Sequence, residues 1–406
     1  MSSASTLRSL NLEAEGQLPG RLRVGLISTS SGSRGGGELY LCGLAQGLVE
    51  LGHEVTSILS SHSRMNELAL QLQQYGTVQR IPYRNTYDRL LRSISVLFAQ
   101  HEISDLRRQL STLPVDVIHV NKQNLEDGLE LLIAADQARI PMVATIHVTR
   151  TMSQLKSLGA GIRDLISFRV LRRLNSQLIT IAESGRKDLS AIQFPQQRLH
   201  LVRNGVRQAD LGDKHQIRSS WGCDPGDFIL GCIARLEPQK NPLFLIKLLA
   251  QLPNHVKVVW IGDGSLRDAL HHEAIKHGVG NRLVMPGWQQ NARSSLAGFD
   301  MFVLPSYYEG LPFAVLEAMA AGLPCLVSDV DGVAEAVRHR QTGFTCPVND
   351  TESWLNAIHE SLTTPSLLAE MGCRGLRRYQ EIFSINAMAK NTVAVYETAI
   401  AAKSCS

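Results

Sequence analysis

The chain has 406 residues, of which 44% are hydrophobic and 19% are charged. This length exceeds what one compact core accommodates and predicts two domains. The apolar fraction excludes a disordered chain, and Glu317, Gly322 and Pro324 interrupt the longest nearly uncharged run, so no segment is predicted to span a bilayer. Residues 1–20 contain charges and lack an apolar stretch, which predicts a flexible extension and not a signal peptide.

The formal net charge of +4 is unevenly distributed along the chain. Through Asn204 there are 23 lysines and arginines against 17 acidic residues, and the remainder has 18 against 20. This excess is too small to indicate nucleic acid binding by itself, so no nucleic acid partner is expected. The seven cysteines include no C-x-x-C pair, which argues against a disulfide framework or a zinc ribbon and favours a cytoplasmic protein.

Short apolar segments alternate with segments of helical periodicity along most of the chain. Leu41, Leu44, Ala45 and Leu48 have the spacing of one helix face, which predicts a helix that ends near Gly52. Most of the short segments are rich in Val, Ile and Leu without strict alternation, as expected for parallel strands buried on both faces. The predicted strands are 22–28, 54–59, 115–120, 142–147 and 178–182, followed after Asp227 by 228–234, 256–261, 282–286, 301–305 and 324–328.

These two series predict two doubly wound, Rossmann-like α/β domains that face one another across a cleft. The polar, glycine-rich stretch between the series is the predicted hinge. The expected organisation is a flexible extension at 1–20, a first domain at 21–204, a hinge at 205–227, a second domain at 228–385 and a closing C-terminal helix at 386–406. Because ligands of open α/β sheets bind outside the carboxyl ends of the strands, the residues after each strand are candidates for a site.

A glycine-rich loop follows the first predicted strand. Gly35, Gly36 and Gly37 precede Glu38 at the start of the predicted helix. Backbone N–H groups at such a helix start can bind an anion. A plain strand-to-helix turn is the alternative, because the loop has neither the G-x-G-x-x-G fingerprint nor the lysine of a P-loop.

A cationic loop follows the first strand of the second series. It contains Arg235 and Lys240 and leads to Pro242, a residue favoured at the first position of a helix. Arginine can bind two phosphate oxygens at once, and lysine supplies a compact positive charge. Two solvated surface cations are the alternative interpretation.

A third loop follows the predicted strand 301–305 and passes through Glu309 to Pro312. The helix that follows is apolar on nearly all sides and contains Glu317. An unpaired buried carboxylate costs roughly several kcal/mol, so Glu317 should have a hydrogen-bond donor as its partner. The two hydroxyls of a ribose would serve, and an ion pair with an arginine or lysine elsewhere in the chain is the alternative.

Glu309 and Glu317, separated by seven residues, resemble the signature of the retaining glycosyltransferases of family 4, which have the GT-B fold. The resemblance extends over about residues 22–400. Further segments are similar to motifs of this family and occur in the same order, namely Gly35-Gly36-Gly37-Glu38, His147, Asn204-Gly205-Val206, Arg235 with Lys240, Gly262-Asp263-Gly264, and Tyr396 in the closing helix.

The resemblance implies a retaining, metal-independent, hexosyltransferase-type enzyme that needs no cofactor. Its donor would be a nucleotide diphosphate sugar, with UDP or GDP expected, and its acceptor the hydroxyl of a saccharide or a lipid-linked molecule in polysaccharide or glycolipid synthesis. The implied donor-binding residues are Gly36, Gly37, Arg235, Lys240, Trp288, Glu309, Gly310, Leu311 and Glu317, and the implied catalytic residues are His147, Arg235, Lys240 and Glu309.

Each of these roles is implied by the position of a residue in the family's motifs. Arg235 and Lys240 would bind the diphosphate, and Glu317 the ribose. Glu309 would orient the donor sugar with the N–H groups of Gly310 and Leu311, while His147 reaches the sugar from the other domain. The glycines line the diphosphate and acceptor side, and Trp288 lies in the loop that receives the base.

Several features keep alternatives open. Asp329-Val330-Asp331 has the D-x-D pattern of the metal site in another glycosyltransferase fold, yet it lies where family 4 has a similar Asp-rich turn. Glu183 either shapes the acceptor site or has no role. The basic segment 150–173 is either a surface helix with its apolar stripe in the core or a peripheral contact with an anionic inner membrane face. An epimerase or hydrolase of the same fold and a non-catalytic nucleotide-sugar-binding subunit are the alternative functions.

Overall fold

A computed structural model describes residues 20–30, 32, 35–208 and 210–404, without the side chains of Asp331 and Ser404. The predicted extension 1–20 lies outside these residues except for Gly20. Within the described ranges, no helix combines the length and the apolar character needed to cross a bilayer.

Seven parallel strands form the first sheet, in the order β3-β2-β1-β4-β5-β6-β7. Leu26 and Ile27 are consecutive in the first of these strands and enter two different buried clusters, because helices cover both faces of the sheet. The strands are β1 Arg23–Ser28, β2 Glu54–Ser60, β3 Thr77–Ile81, β4 Val117–Asn124, β5 Met142–Val148, β6 Ser176–Thr180 and β7 Leu199–Leu201. The helices are α1 Gly36–Glu50, α2 Asn66–Leu72, α3 Gln100–Ser111, α4 Leu129–Gln137, α5 Ala160–Arg173 and α6 Glu183–Ala191.

Six parallel strands form the second sheet, in the order β10-β9-β8-β11-β12-β13. In both sheets the strand order reverses beside the first strand, between β1 and β4 and between β8 and β11, which opens a crevice at the carboxyl ends. The strands are β8 Phe228–Ile233, β9 Val256–Ile261, β10 Leu283–Gly287, β11 Met301–Leu304, β12 Cys325–Ser328 and β13 Gly343–Cys346. The helices are α7 Lys214–Ser220, α8 Pro242–Leu249, α9 Arg267–Lys276, α10 Phe313–Ala320, α11 Asp331–Ala336, α12 Thr351–Thr363 and α13 Pro365–Arg378.

The prediction of two doubly wound α/β domains is confirmed, and each of the ten predicted strands is present within a few residues of its expected bounds. Three further strands, β3, β7 and β13, were not predicted. All three lie at sheet edges and have three to five residues. In β3 only Ile81 is buried, so the sequence lacks the apolar run by which the central strands were recognised.

The chain crosses between the domains twice, at adjacent positions. The Val206 N–H donates to the Phe383 carbonyl at 2.9 Å, and a Cβ on Gly205 would lie 2.5 Å from the Ser384 carbonyl oxygen. The final helix, α14 Ile385–Ser404, then packs against α1 of the first domain. Inside the predicted hinge 205–227, α7 packs on the second domain, where Arg218 pairs with Asp300 at 2.5 Å.

Candidate functional site

The loops at the carboxyl ends of both sheets meet in the cleft between the domains. A Cβ on Gly36 would lie 3.5 Å from the ring of Phe313, so the N-terminal ends of α1 and α10 approach each other from opposite domains. The side-chain amide of Asn204 donates to the Leu311 carbonyl at 3.1 Å. Since each helix N-terminus has a partial positive charge, the cleft between them favours an anionic ligand.

Lys240 and Glu309, predicted from separate loops, are in direct contact. The Lys240 Nζ lies 2.5 Å from the Glu309 Oε1, and the side chains are 15% and 7% exposed. The Ser306 Oγ donates to the same carboxylate oxygen at 2.7 Å. Backbone contacts join the two loops as well, since the Tyr307 N–H donates to the Gln239 carbonyl at 2.9 Å. The ammonium and the carboxylate therefore have fixed positions at the start of the α10 region.

Arg235 follows β8 in the same cationic loop and is exposed. The backbone beneath it is held in place, because the Trp260 Nε1 donates to the Ala234 carbonyl at 2.8 Å and the Leu236 N–H to the Asp263 carbonyl at 2.9 Å. Hydrogen bonds from Ser265, and to a lesser degree the charge of Arg235, lower the pKa of the nearby Glu237 carboxyl. Within the described part of the chain the Arg235 guanidinium forms no ion pair at contact distance. It is thus available to an anionic ligand at the mouth of the cleft.

Glu317 lies in the second turn of α10 and is only 8% exposed. Burial raises the pKa of its carboxyl group, and the charge of Arg293 partly offsets that rise. The Arg293 Nε lies 3.3 Å from the Glu317 Oε1, so the ion pair that the sequence left open as an alternative is present. Both residues line a cavity of about 370 Å³ that also contacts Phe313 and Gly205. Arg293 thus contacts one oxygen of the Glu317 carboxylate, and the ion pair lies in the wall of this cavity.

His147 is the last residue but one of β5 and is connected to the glycine-rich loop. Its Nε2 lies 2.7 Å from the Asn121 Oδ1, and the Asn121 side-chain amide donates to the Gly37 carbonyl at 2.9 Å. The ring of Tyr40 packs edge-on against the imidazole, with centroids 4.9 Å apart. Burial lowers the pKa of His147 to about 4, so the ring is neutral near pH 7. Asn121 was not predicted although it directly follows the predicted strand 115–120, because a lone asparagine matches none of the motifs.

The glycine-rich loop depends on its small residues and on Glu38. A Cβ on Gly37 would lie 2.0 Å from the Gln123 Nε2, which excludes a side chain there unless the glutamine moves. The Glu38 carboxylate accepts hydrogen bonds from the Gly35 N–H at 2.9 Å and from the Ser30 hydroxyl. Glu38 thereby fixes the chain where it enters α1.

A second cavity, of about 530 Å³, lies between the domains beside Glu309. Residues of the first domain and of the second contribute to its wall. The Arg150 guanidinium lies over the Tyr308 ring, 5.2 Å from its centroid, and so joins the two domains at the rim. The lining of this cavity includes His147, Arg150, Ser184, Tyr308, Glu309 and Gly310. This cavity offers space for a second substrate next to Glu309.

The remaining candidate residues lie at the same sheet edges but outside these contacts. Trp288 follows the edge strand β10 and is 57% exposed. Glu183 pairs with Arg186 of its own helix at 2.6 Å, while the Glu183 backbone N–H donates to the Glu335 Oε1 of the other domain at 2.6 Å. Among the described residues, no group of three or more His, Cys, Asp or Glu side chains could hold a metal ion, and the side chain of Asp331 lies outside them.

Two family models together match most of the chain. The model described as Glycosyltransferase Family 4 matches residues 34–209, and that of the Glycosyl transferases group 1 matches residues 213–378. The chain belongs to glycosyltransferase family 4. The resemblance inferred from the motifs and the GT-B fold are therefore confirmed.

Individual relatives of this family 4 glycosyltransferase are distant. The UDP-Gal:alpha-D-GlcNAc-diphosphoundecaprenol alpha-1,3-galactosyltransferase of Escherichia coli is 28% identical over 283 residues, which are 66% of this chain and 72% of the relative. The N-acetyl-alpha-D-glucosaminyl L-malate synthase of Bacillus anthracis is 26% identical over 394 residues, 93% of this chain and 96% of the relative. Among solved structures, HepE of Anabaena in complex with UDP has a TM-score of 0.77 at 19% identity and covers 93% of this chain and 100% of its own.

Proposed function

We propose that this glycosyltransferase moves a hexosyl group, with retention of configuration, from a nucleotide diphosphate sugar to a hydroxyl acceptor. The observation that carries the proposal is the contact of Lys240 with Glu309 at 2.5 Å beside the start of α10. A cation that is 69 residues away in the sequence is thereby placed beside a carboxylate and the helix N-terminus that follows it.

The diphosphate binds to the cationic loop. The exposed guanidinium of Arg235 takes a pair of phosphate oxygens, and Lys240 provides the second cation. The N-terminal ends of α1 and α10 add partial positive charge from both domains. Negative charge grows on the diphosphate as the sugar departs, so groups already aimed at it stabilise the transition state. These cations supply the neutralisation that a metal ion would otherwise supply, and we propose a metal-independent reaction.

The nucleoside extends along α10 towards Glu317. The carboxylate accepts hydrogen bonds from the two ribose hydroxyls, with Arg293 holding its other side. In this arrangement Trp288, in the loop after β10, packs against the base, and its exposure leaves the ring accessible to a ligand. UDP and GDP are the expected nucleotides.

The sugar lies between Glu309 and His147. Glu309 is already bound by Lys240 and Ser306, so it orients hydroxyl groups of the sugar, assisted by the N–H groups of Gly310 and Leu311. The neutral imidazole of His147 hydrogen-bonds the sugar from the first domain. In the proposed front-face reaction, the bond from the anomeric carbon to the phosphate oxygen breaks. The acceptor oxygen bonds to the same face of that carbon, and its proton passes to the departing phosphate.

The acceptor binds in the 530 Å³ cavity beside Glu309. Its class is a saccharide or a lipid-linked molecule of polysaccharide or glycolipid synthesis. The name of the Escherichia coli relative describes an acceptor of the second kind, a diphosphoundecaprenol derivative. We propose a cytoplasmic location, in keeping with the six described cysteines, all of which are free, and peripheral contact of the segment 150–173 with the inner membrane face.

The decisive experiment measures nucleotide binding and sugar transfer separately. Thermal shifts with UDP and GDP identify the base, and donors with that base are then incubated with an acceptor mixture in excess EDTA. We expect transfer in EDTA and a product whose anomeric configuration, measured by NMR, equals that of the donor. Inversion at the anomeric carbon or a strict Mn²⁺ requirement would overturn the mechanism. Sugar conversion without any acceptor would favour the epimerase or hydrolase, and binding without turnover the non-catalytic subunit.

A further inference from the structure

An exposed apolar surface lies on the first domain, formed by two segments that the proposed mechanism does not use. One segment is the short helical stretch Arg92–Phe98 with the two leucines before it, and the other runs from residue 155 into α5. Their exposed fractions range from 43% to 98%, and the highest are those of Leu90 and Leu158. The residues of this apolar surface are Leu90, Leu91, Leu97, Phe98, Leu155, Leu158, Ile162 and Leu165.

The two segments are held side by side by a buried carboxylate. Glu126 is 2% exposed and accepts one hydrogen bond from the Ser93 Oγ at 2.9 Å and another from the Arg163 Nε at 2.9 Å. Since Ser93 belongs to the first segment and Arg163 to α5, the apolar side chains form one surface and not two separate loops. Val96 and Ile166 turn inward from the same segments and belong to the core.

The outer face of α5 has an amphipathic arrangement along its length. Ile162 and Leu165 lie one turn apart on the exposed side of α5, and Arg169, Arg172 and Arg173 continue that side towards the C-terminus. Leu158 precedes the helix, next to its N-cap residue Gly159. On the opposite face Leu171, Asp164 and Ser167 are buried, and Ile166, one turn after Ile162, is buried at the border between the two faces. The alternative in which the apolar stripe of 150–173 packs into the core therefore holds for only part of it. Contiguous apolar surface of this kind on a protein usually marks a contact with another molecule or a membrane.

The apolar surface continues to the mouth of the second cavity. Leu155 belongs to the surface and also lines the 530 Å³ cavity beside His147 and Arg150. Exposed cations flank it, with Lys156 beside Leu155 and the three arginines of α5 at the other end. A flat partner that contacts the surface would thus meet leucine side chains in the middle, positive charge at the edges and the cavity at one side.

We propose that the apolar surface docks on an anionic lipid bilayer and that the acceptor is anchored in that bilayer. Leucine and phenylalanine side chains enter the headgroup region, and the lysine and arginines contact anionic headgroups, which is the combination that binds amphipathic helices to such membranes. Docking places the mouth of the cavity at the membrane surface. The statement about the acceptor rests on the proposed function, whereas the docking itself does not.

Flotation of the full chain with phosphatidylcholine vesicles, with and without phosphatidylglycerol, tests the docking. One variant changes the segment that runs into α5, Leu158→Glu with Ile162→Glu, and another changes the first segment, Leu90→Glu with Phe98→Glu. The matched control is Leu70→Glu with Ile275→Glu, whose parent side chains are 69% and 60% exposed outside the apolar surface. Burying one large apolar side chain contributes about tenfold or more to partitioning, so each test variant should bind anionic vesicles at least about tenfold more weakly. The control should bind like the parent chain.

The possible outcomes separate docking from activity. Equal flotation with neutral and anionic vesicles, or test variants that float like the parent chain, would overturn the proposal. A concentration-dependent dimer in sedimentation that Leu158→Glu abolishes, without vesicle binding, would assign the surface to a second copy instead. Calorimetry with free UDP and GDP tests the donor site independently. Vesicle binding with no nucleotide binding would reject the proposed function and leave the docking intact.

Discussion

Replacing Glu317 by alanine distinguishes a ligand-binding carboxylate from a structural ion pair. If the carboxylate accepts two ribose hydroxyls, the variant loses two hydrogen bonds to a charged group, which together contribute about 2–4 kcal/mol after water takes their place. That energy corresponds to a nucleotide Kd raised by roughly 30- to 1,000-fold. If Glu317 only pairs with Arg293, whose side chain is 37% exposed, its removal affects stability by about 1 kcal/mol or less and leaves the Kd unchanged.

Isothermal titration with UDP and GDP, together with thermal melts, separates these outcomes. Glu317→Gln keeps the shape of the side chain and should retain part of the affinity. Asp300→Ala is the matched control, because it breaks an arginine–carboxylate pair with Arg218 before β11, at the opposite end of the same sheet. It should lower the melting temperature without affecting the nucleotide. A Glu317→Ala protein that binds with the parent affinity would refute the ribose role.

Three other predictions concern the cleft. Glu309→Gln should lower kcat by about a hundredfold or more with little change in donor KM. Lys240→Ala should lower kcat and raise donor KM, because it also leaves the buried Glu309 without its cation. Equal effects on kcat and KM in the two variants would contradict the assignment. Burial lowers the pKa of His147 to about 4 from an ordinary 6.5. Between these two pH values the imidazole is protonated in the unfolded chain and neutral in the folded chain, so the folded state loses stability as the pH falls. The melting temperature should therefore fall as the pH drops through this window, and His147→Gln should flatten the fall. The Glu335 carboxylate joins the domains through its contacts with the Glu183 N–H and with Arg203, and Glu335→Gln weakens these contacts. X-ray scattering should therefore show a larger radius of gyration for the nucleotide-free variant. An unchanged radius of gyration would contradict this prediction.

The central strands and the loops after them could be predicted from the sequence for a common physical reason. Parallel strands covered on both faces require apolar runs, and such runs mark β1, β8 and β11 without any knowledge of the fold. The edge strand β3 was not predicted because four of its five residues are at least partly exposed, so its sequence has no apolar run. Helix α7 was not predicted because its sequence lies in a stretch rich in polar residues and glycine. Its packing on the second domain stabilises the helix there.

The site was predicted only as far as its residues follow strands or belong to motifs. Lys240 and Glu309 are 69 residues apart, and their contact depends on β8 and β11 being neighbours in the sheet. Arg293 and Asn121 were missed because a partner of a buried carboxylate or of an imidazole has no sequence spacing to reveal it. The exposed face of α5 could not be told from a buried one, since periodicity shows that a helix has an apolar face but not what covers it.

The return of α14 to the first domain has a consequence for how this enzyme folds and can be engineered. Tyr396 of that helix is fully buried, and its hydroxyl lies 2.7 Å from the Nδ1 of His119 inside the first domain. During synthesis, the core of the first domain is therefore completed only after the last residues of the chain have been made. A chimera that exchanges the second domain with that of another enzyme should accordingly keep the parent's residues 385–404 together with residues 21–204.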